Sequence, residues 1–287
     1  MMARSFALLA SLVLCVSASG ESQTGRVKVD GAELYYEAEG SGTPVILIHG
    51  WSLNLRMWDL QVPELRRHYR VIRYDRRGFG KSTGDEDFSK DVADLTALTD
   101  SLHLEKVHLV GNSQGGRVAL EYAMLHPDRV RTLTLHGSVA PSGFPFAWTG
   151  ADRPPFDGWA KIPQAQRLDA FRREWKSHPL MALPAGMKRA RIFRDEMIDA
   201  YRGDRLLKPQ PPASVSSSTM DDIRKLRTPT LVIIGADEVP FLQIVARSLA
   251  YDLPNAQLVV VPGGGHMINL VQPNRYNAAL MKFLGSK

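Results

Sequence analysis

The chain of 287 residues carries 36 Lys and Arg against 30 Asp and Glu, a formal charge of +6, and 44% of its side chains are apolar. That apolar share is enough to core one large α/β domain, or one domain with an insertion, and it argues against disorder over long stretches. The basic excess is scattered along the chain rather than gathered in one run, which reads as a solubility feature and sets nucleic-acid binding aside.

Arg4 precedes an uncharged apolar run over 6–18, and small residues follow at Ser17, Ala18, Ser19 and Gly20. This is the layout of an export leader cleaved near Ala18, so residues 1–20 are expected to be a signal peptide and the mature protein periplasmic or secreted. The run falls short of the about 20 apolar residues that a span requires, and no stable membrane span is expected after cleavage. Cleavage would also remove Cys15, the single cysteine.

Two strands are expected at 26–29 and 34–39 around an Asp30-Gly31 turn, then short apolar strands alternate with helical stretches. Strands are predicted at 45–48, 71–74, 107–110, 130–135, 230–234 and 258–261. Helices are predicted at 57–67, 92–102, 116–125, 242–250 and 273–284. Such alternation implies an α/β fold with a mostly parallel sheet covered by helices on both faces. The alternation breaks over 141–222, a stretch with many prolines, three tryptophans and helical patches at 165–176 and 187–201. It is expected to be a helical lid inserted into a core made of 21–140 and 223–287. Its basic residues, Arg172, Arg173, Lys176, Lys188, Arg189, Arg191 and Arg194, read as a solvated outer face, with an inward-facing Arg that holds a substrate carboxylate as the sharper alternative. The 208–218 stretch reads as a loop.

Gly111-Asn112-Ser113-Gln114-Gly115 lies between a predicted strand and a predicted helix. In that setting G-x-S-x-G forms a sharp turn that lifts the serine hydroxyl clear of the sheet and aims the following helix N-terminus at developing negative charge. A serine hydroxyl needs a base to act as a nucleophile at neutral pH. Among eight histidines, His266 follows the Pro262-Gly263-Gly264-Gly265 turn after the last predicted strand. A carboxylate that orients the imidazole is expected just after strand 230–234, where Asp237 and Glu238 compete; composition points to Asp237. The strand-end turn His49-Gly50-Trp51 assigns two oxyanion donors, the backbone N–H groups of Trp51 and Gln114. No histidine pair has zinc spacing, and the chemistry calls for neither metal nor cofactor. Gly78-Phe79-Gly80-Lys81-Ser82 approaches a phosphate loop, but Asp75 stands where its first glycine belongs.

Together, Ile48-His49-Gly50-Trp51, the run from Tyr74 to Ser82, Gly111 to Gly116, and Gly263-Gly264-Gly265-His266 resemble the α/β-hydrolase superfamily. The resemblance covers the mature chain apart from the 141–222 insertion and implies an eight-stranded sheet. The C-terminal third is most similar to the enol-lactonase and esterase branch, where the acid is commonly followed by Val-Pro. Laid on Val239-Pro240, that pattern implies Glu238 rather than Asp237. The expected activity is hydrolysis of a small-molecule carboxylic ester or lactone through an acyl-enzyme on Ser113, with Phe144, Phe146 and Trp148 shaping the substrate pocket. A carbon–carbon hydrolase of ring-fission products, a cofactor-free perhydrolase and a non-enzymatic ligand receptor are the alternatives.

Overall fold

A computed structural model describes residues 22–141, 144–208 and 219–285. The expected leader at 1–20 and most of the 208–218 loop lie outside the described residues. Eight strands form one sheet: β1 (Gln23–Val29), β2 (Ala32–Glu39), β3 (Pro44–Ile48), β4 (Arg70–Tyr74), β5 (Val107–Asn112), β6 (Val130–His136), β7 (Thr230–Gly235) and β8 (Ala256–Val261). Their order is β1-β2-β4-β3-β5-β6-β7-β8. β2 pairs antiparallel with β1 and β4, and every other pairing is parallel.

Burial follows from composition. β5 and β7 are buried at every position, as strands covered on both faces must be. β2, nearer the edge, alternates, with Leu34, Tyr36 and Ala38 inward. The longer core helices are α1 (Asp91–Ser101), α2 (Gln114–Leu125), α5 (Pro240–Asp252) and α6 (Pro273–Gly285). Between β6 and β7 the chain forms α3 (Gln164–Ser177) and α4 (Lys188–Ala200), with short helices at Phe156–Ala160 and Asp204–Leu207. The expected 57–67 helix is instead a 3₁₀ turn, Leu55–Trp58, and one α-turn, Val62–Leu65. Pro63 has no N–H to continue a helix and its ring would strike the carbonyl four residues back, so a new turn starts at it.

The β4-to-α1 loop is held from within. Arg76 and Asp91 form a buried two-point ion pair, with Nη2 to Oδ2 at 2.7 Å and Nε to Oδ1 at 3.1 Å. Asp75, which broke the phosphate-loop pattern, accepts the backbone N–H groups of Leu55 and Lys81, both at 2.8 Å. A side chain at Gly80 would strike this carboxylate at 2.2 Å. The carboxylate therefore occupies the loop itself.

The parallel order reverses direction on either side of β3, with β4 on one flank and β5 on the other. In open α/β sheets the crevice at such a switch, beyond the strand C-termini, is where ligands bind. The loops after β3 and β5 open there.

Candidate active site

Ser113 sits between β5 and α2 with φ +53° and ψ −117°. Among the described non-glycine residues only Ser52 and His103 share a positive φ. Such a conformation costs on the order of 1–3 kcal/mol and persists only where its surroundings enforce it. Here the Ser113 N–H donates to the His136 carbonyl at 2.9 Å, and its carbonyl accepts from Gly116 N at 3.0 Å. The flanking glycines permit backbone-to-backbone contact. A Cβ at Gly111 would lie 2.2 Å from the Gly115 oxygen, and one at Gly115 would lie 2.3 Å from the Ile48 oxygen. Helix α2 therefore starts directly against β3 and β5, leaving Ser113 half-buried at the crevice floor.

His266 follows β8. The glycine run before it lets two loops touch: the Gly264 carbonyl accepts the Asp237 N–H at 3.0 Å, and a Cβ at Gly235 would strike that same oxygen at 2.2 Å. This packing turns the two neighbouring carboxylates opposite ways. Asp237 is exposed, whereas Glu238 is buried and its Oε2 lies 2.7 Å from His266 Nδ1. The other oxygen, Oε1, accepts the Val239 N–H at 2.9 Å. Of the two candidates, Glu238 is the one in contact with the imidazole. Behind the pair lies His136, with ring centroids 6.4 Å from His266. Burial pushes His136 down to about 3, with the proximity of the His266 ring acting in the same direction, so His136 is neutral at pH 7.

Gly50 abuts the β5–α2 turn: a Cβ there would meet Asn112 Oδ1 at 2.6 Å and Ser113 Cβ at 3.3 Å. Among the described residues, no protein acceptor bonds to the backbone N–H of Trp51 or Gln114. Both residues, with Ser113 and His266, line a single cavity of about 460 Å³.

Trp148 lines this cavity, stacked on Phe241 at 4.9 Å and 11°. The other two expected pocket residues do not. Phe144 packs edge-on behind Phe241 at 6.0 Å, and Phe146 is 59% exposed. Once Trp148 and Phe241 stack, their rings form the wall and leave the earlier phenylalanines outside it. The sequence reading missed Phe241, although it directly follows Val239-Pro240 at the start of α5. It also missed the arginines of the cavity, Arg117, Arg153 and Arg205, none of which belongs to the basic run over 172–194. In that run Arg194 is buried, its guanidinium bonded to the Met181 carbonyl and to Asp195. Tertiary folding alone brings the other three to the cavity, since no spacing signal links 117, 153 and 205.

A doubly covered, mostly parallel eight-stranded sheet, with a serine at the β5–α2 turn and a buried carboxylate–imidazole pair from the loops after β7 and β8, defines an α/β hydrolase. The alpha/beta hydrolase fold family model matches residues 43–273, and the chain belongs to that family. A non-heme chloroperoxidase of Kitasatospora aureofaciens is 31% identical over 280 residues, covering 89% of this chain and 97% of its own length. The crystal structure of a bromoperoxidase from Bacillus anthracis aligns with a TM-score of 0.74 at 29% identity, covering 92% of this chain and all of that one. A thermophilic esterase from Thermogutta terrifontis aligns with a TM-score of 0.76 at 27% identity, over 92% of this chain and 98% of that one.

Proposed function

We propose that the protein hydrolyses a small carboxylic ester or lactone through an acyl-enzyme on Ser113. One observation carries the reading: a serine in a strained turn shares a cavity with an imidazole whose far nitrogen is held by a buried carboxylate at 2.7 Å. Ser113 Oγ attacks the carbonyl while His266 Nε2 takes its proton, and Glu238 stabilises the imidazolium that forms. The Trp51 and Gln114 N–H groups receive the oxyanion. His266 returns the proton to the departing alcohol and then activates the water that releases the acid. The apolar walls formed by Trp148, Phe241, Leu180 and Met181 suit an apolar acyl or aryl group.

A fluorophosphonate probe and p-nitrophenyl acetate test this. Labelling confined to Ser113, with turnover reduced at least about a thousandfold in Ser113→Ala, is expected. Full esterase activity in the unlabelled variant removes Ser113 from the mechanism.

The likeness to a chloroperoxidase and a bromoperoxidase favours a second activity at the same site. Acetic acid acylates Ser113 with loss of water, and hydrogen peroxide then replaces water in deacylation: its oxygen takes the acyl group, peracetic acid leaves, and the proton returns to Ser113 through His266. Peracetic acid formed from acetate and peroxide, and lost in Ser113→Ala, is the expected result. We also infer export from the 1–20 segment, which periplasmic fractionation with and without that segment tests.

A further inference from the structure

The residue whose N–H we assign to the oxyanion is also the one that four aromatic residues between β6 and β7 enclose. The Trp51 ring lies 5.0–5.6 Å from the rings of Phe156, Phe171, Trp175 and Tyr201. Its indole Nε1–H donates to the Tyr201 hydroxyl at 3.1 Å, and that hydroxyl donates to Glu86 Oε2 at 2.5 Å. The next residue, Ser52, holds φ +62°, and its hydroxyl accepts from Trp175 Nε1 at 2.7 Å. The loop between β3 and the 3₁₀ turn is thus strained at Ser52 and tied twice to side chains between β6 and β7.

Glu86 ends the chain of bonds, and the proposed mechanism does not use it. It is 4% exposed, and no cation lies in contact with its carboxyl among the described residues. Its Oε1 has no partner there, so Tyr201 is the direct hydrogen-bonding partner of the carboxyl. Burial pushes Glu86 up to about 7; the Tyr201 hydroxyl and the more distant Arg76 and Arg205 guanidinium groups oppose that rise, and Asp91 adds to it. Asp204 faces the Glu86 backbone, accepting its N–H at 3.3 Å, and Phe79 stacks on Tyr201 at 5.6 Å. Burying a carboxyl with one hydrogen bond costs folding energy, which points to a role for the bond it makes.

Resting on the Ser113 reading above, we propose that Tyr201 and Glu86 are positioning residues for the oxyanion hole. Their hydrogen bonds fix the Trp51 indole, and so hold the Trp51 backbone, next to the strained Ser52, where the Trp51 N–H can reach the oxygen of the tetrahedral intermediate. Such a donor acts at 2.7–3.1 Å from the oxyanion, about the range in which a small tilt of the loop matters. Loosening the loop would weaken transition-state binding and leave ground-state binding largely intact, so the loss belongs in kcat rather than KM.

The test uses the full chain carrying Tyr201→Phe, Glu86→Leu or Glu86→Gln. The readouts are kcat and KM for p-nitrophenyl acetate, inhibition by phenylboronic acid, and thermal melts. Tyr201→Phe keeps the ring in its cage and removes only the hydroxyl. It is expected to lower kcat about tenfold or more, to weaken phenylboronic acid to a similar degree and to move KM less than about twofold. Glu86→Gln retains an oxygen that accepts from Tyr201 and stays within about threefold of wild-type kcat, while Glu86→Leu falls with Tyr201→Phe. Wild-type kcat in Tyr201→Phe, a loss confined to KM, or equal losses in the two Glu86 variants overturns the proposal. If Tyr201→Phe does not fold, the two Glu86 variants decide. Ser113→Ala separates the two levels. Turnover that survives it sinks the underlying reading, whereas Ser113-dependent turnover untouched by Tyr201→Phe sinks only this one.

Discussion

A carboxylate that orients an imidazole must be within contact of it and out of water, and at 237–238 only one of two adjacent acids meets both conditions. Asp237 faces solvent, while Glu238 is buried and bonds both His266 Nδ1 and the Val239 N–H. Replacing Glu238 by Gln preserves the shape but offers the ring an amide in place of a charge. The imidazolium then forms without a counter-charge, and the favoured tautomer can reverse. Glu238→Gln is expected to lower kcat for p-nitrophenyl acetate by about 10⁴, as the loss of such a partner does elsewhere, whereas Asp237→Asn stays within about twofold. Comparable losses in both variants, measured in parallel, would count against Glu238. Gly137 makes a related point. Its φ is +49°, and a Cβ there would lie 2.9 Å from His266 Nδ1 and 3.0 Å from Glu238 Oε2. Gly137→Ala is expected to push the pair apart and cut kcat at least about tenfold with a smaller effect on KM.

The element that matters most is the strand–turn–helix unit of β5 and α2. Its sequence pattern is usually justified by the exposed serine, but the contacts show a second reason. Gly111 and Gly115 let the helix start touch the strand backbone, with β3 alongside. A methyl at Gly111 has only main-chain atoms to displace, and main chain cannot rotate away as a side chain can. Gly111→Ala is therefore expected to cost about 1–3 kcal/mol of stability, or more where the helix must shift, and to lower Tm by several degrees. A melt indistinguishable from wild type would mean that the helix start is looser than these contacts imply. The helices between β6 and β7 are the other unit with a consequence. Their buried Phe171, Trp175 and Tyr201 close on Trp51, a core residue, so removing that ring would open a cavity against them.

At the scale of the molecule, buried titratable groups tie the core to pH. His49 is fully buried, its Nδ1 2.7 Å from the Gly50 carbonyl and its Nε2 accepting the Arg76 N–H at 2.9 Å. Burial, reinforced by the Arg76 charge, pushes it down to about 3. The unfolded chain takes up a proton at this histidine near pH 6.5, and the folded protein does so only near 3. Stability contributed by the neutral His49 is therefore complete above about 6.5 and is lost as pH falls toward 3. Asp75 and Glu86 act in the opposite sense, because burial raises both, to about 6 and about 7. Their folded carboxyls bind protons before the unfolded ones do, so they favour the fold as pH falls through that range. The residue-specific expectation is a difference of slopes: urea midpoints between pH 6.5 and 4 should fall less steeply in His49→Gln than in wild type. Parallel slopes would show that His49 is protonated in the fold.

Much of this protein could be read from order along the chain. The alternation of short apolar runs and amphipathic stretches specified a parallel α/β sheet, because strands buried on both faces must be apolar throughout and crossovers need helices. The glycine-flanked Ser113 after a strand specified a sharp turn for steric reasons that act within a few residues. Both inferences rest on local physics: the sheet and the family match bear out the first, and for the second Ser113 stands at the β5–α2 turn with φ +53°. Where the 57–67 stretch breaks is also local, since Pro63 sits within it and starts a new turn. What lay beyond reach depended on contacts between distant segments. Asp237 and Glu238 differ by one position, and only the meeting of their loop with Gly264 and Gly265 turns one to solvent and the other to His266. Trp148 lines the cavity while Phe144 and Phe146 do not, because Phe241, nearly a hundred residues later, selects which ring it stacks on. The bond from Trp51 through Tyr201 to Glu86 joins three segments with no shared period or motif. Periodicity encodes which face of an element is buried, but side-chain partners across the chain are chosen by packing, and packing exists only once the chain has folded.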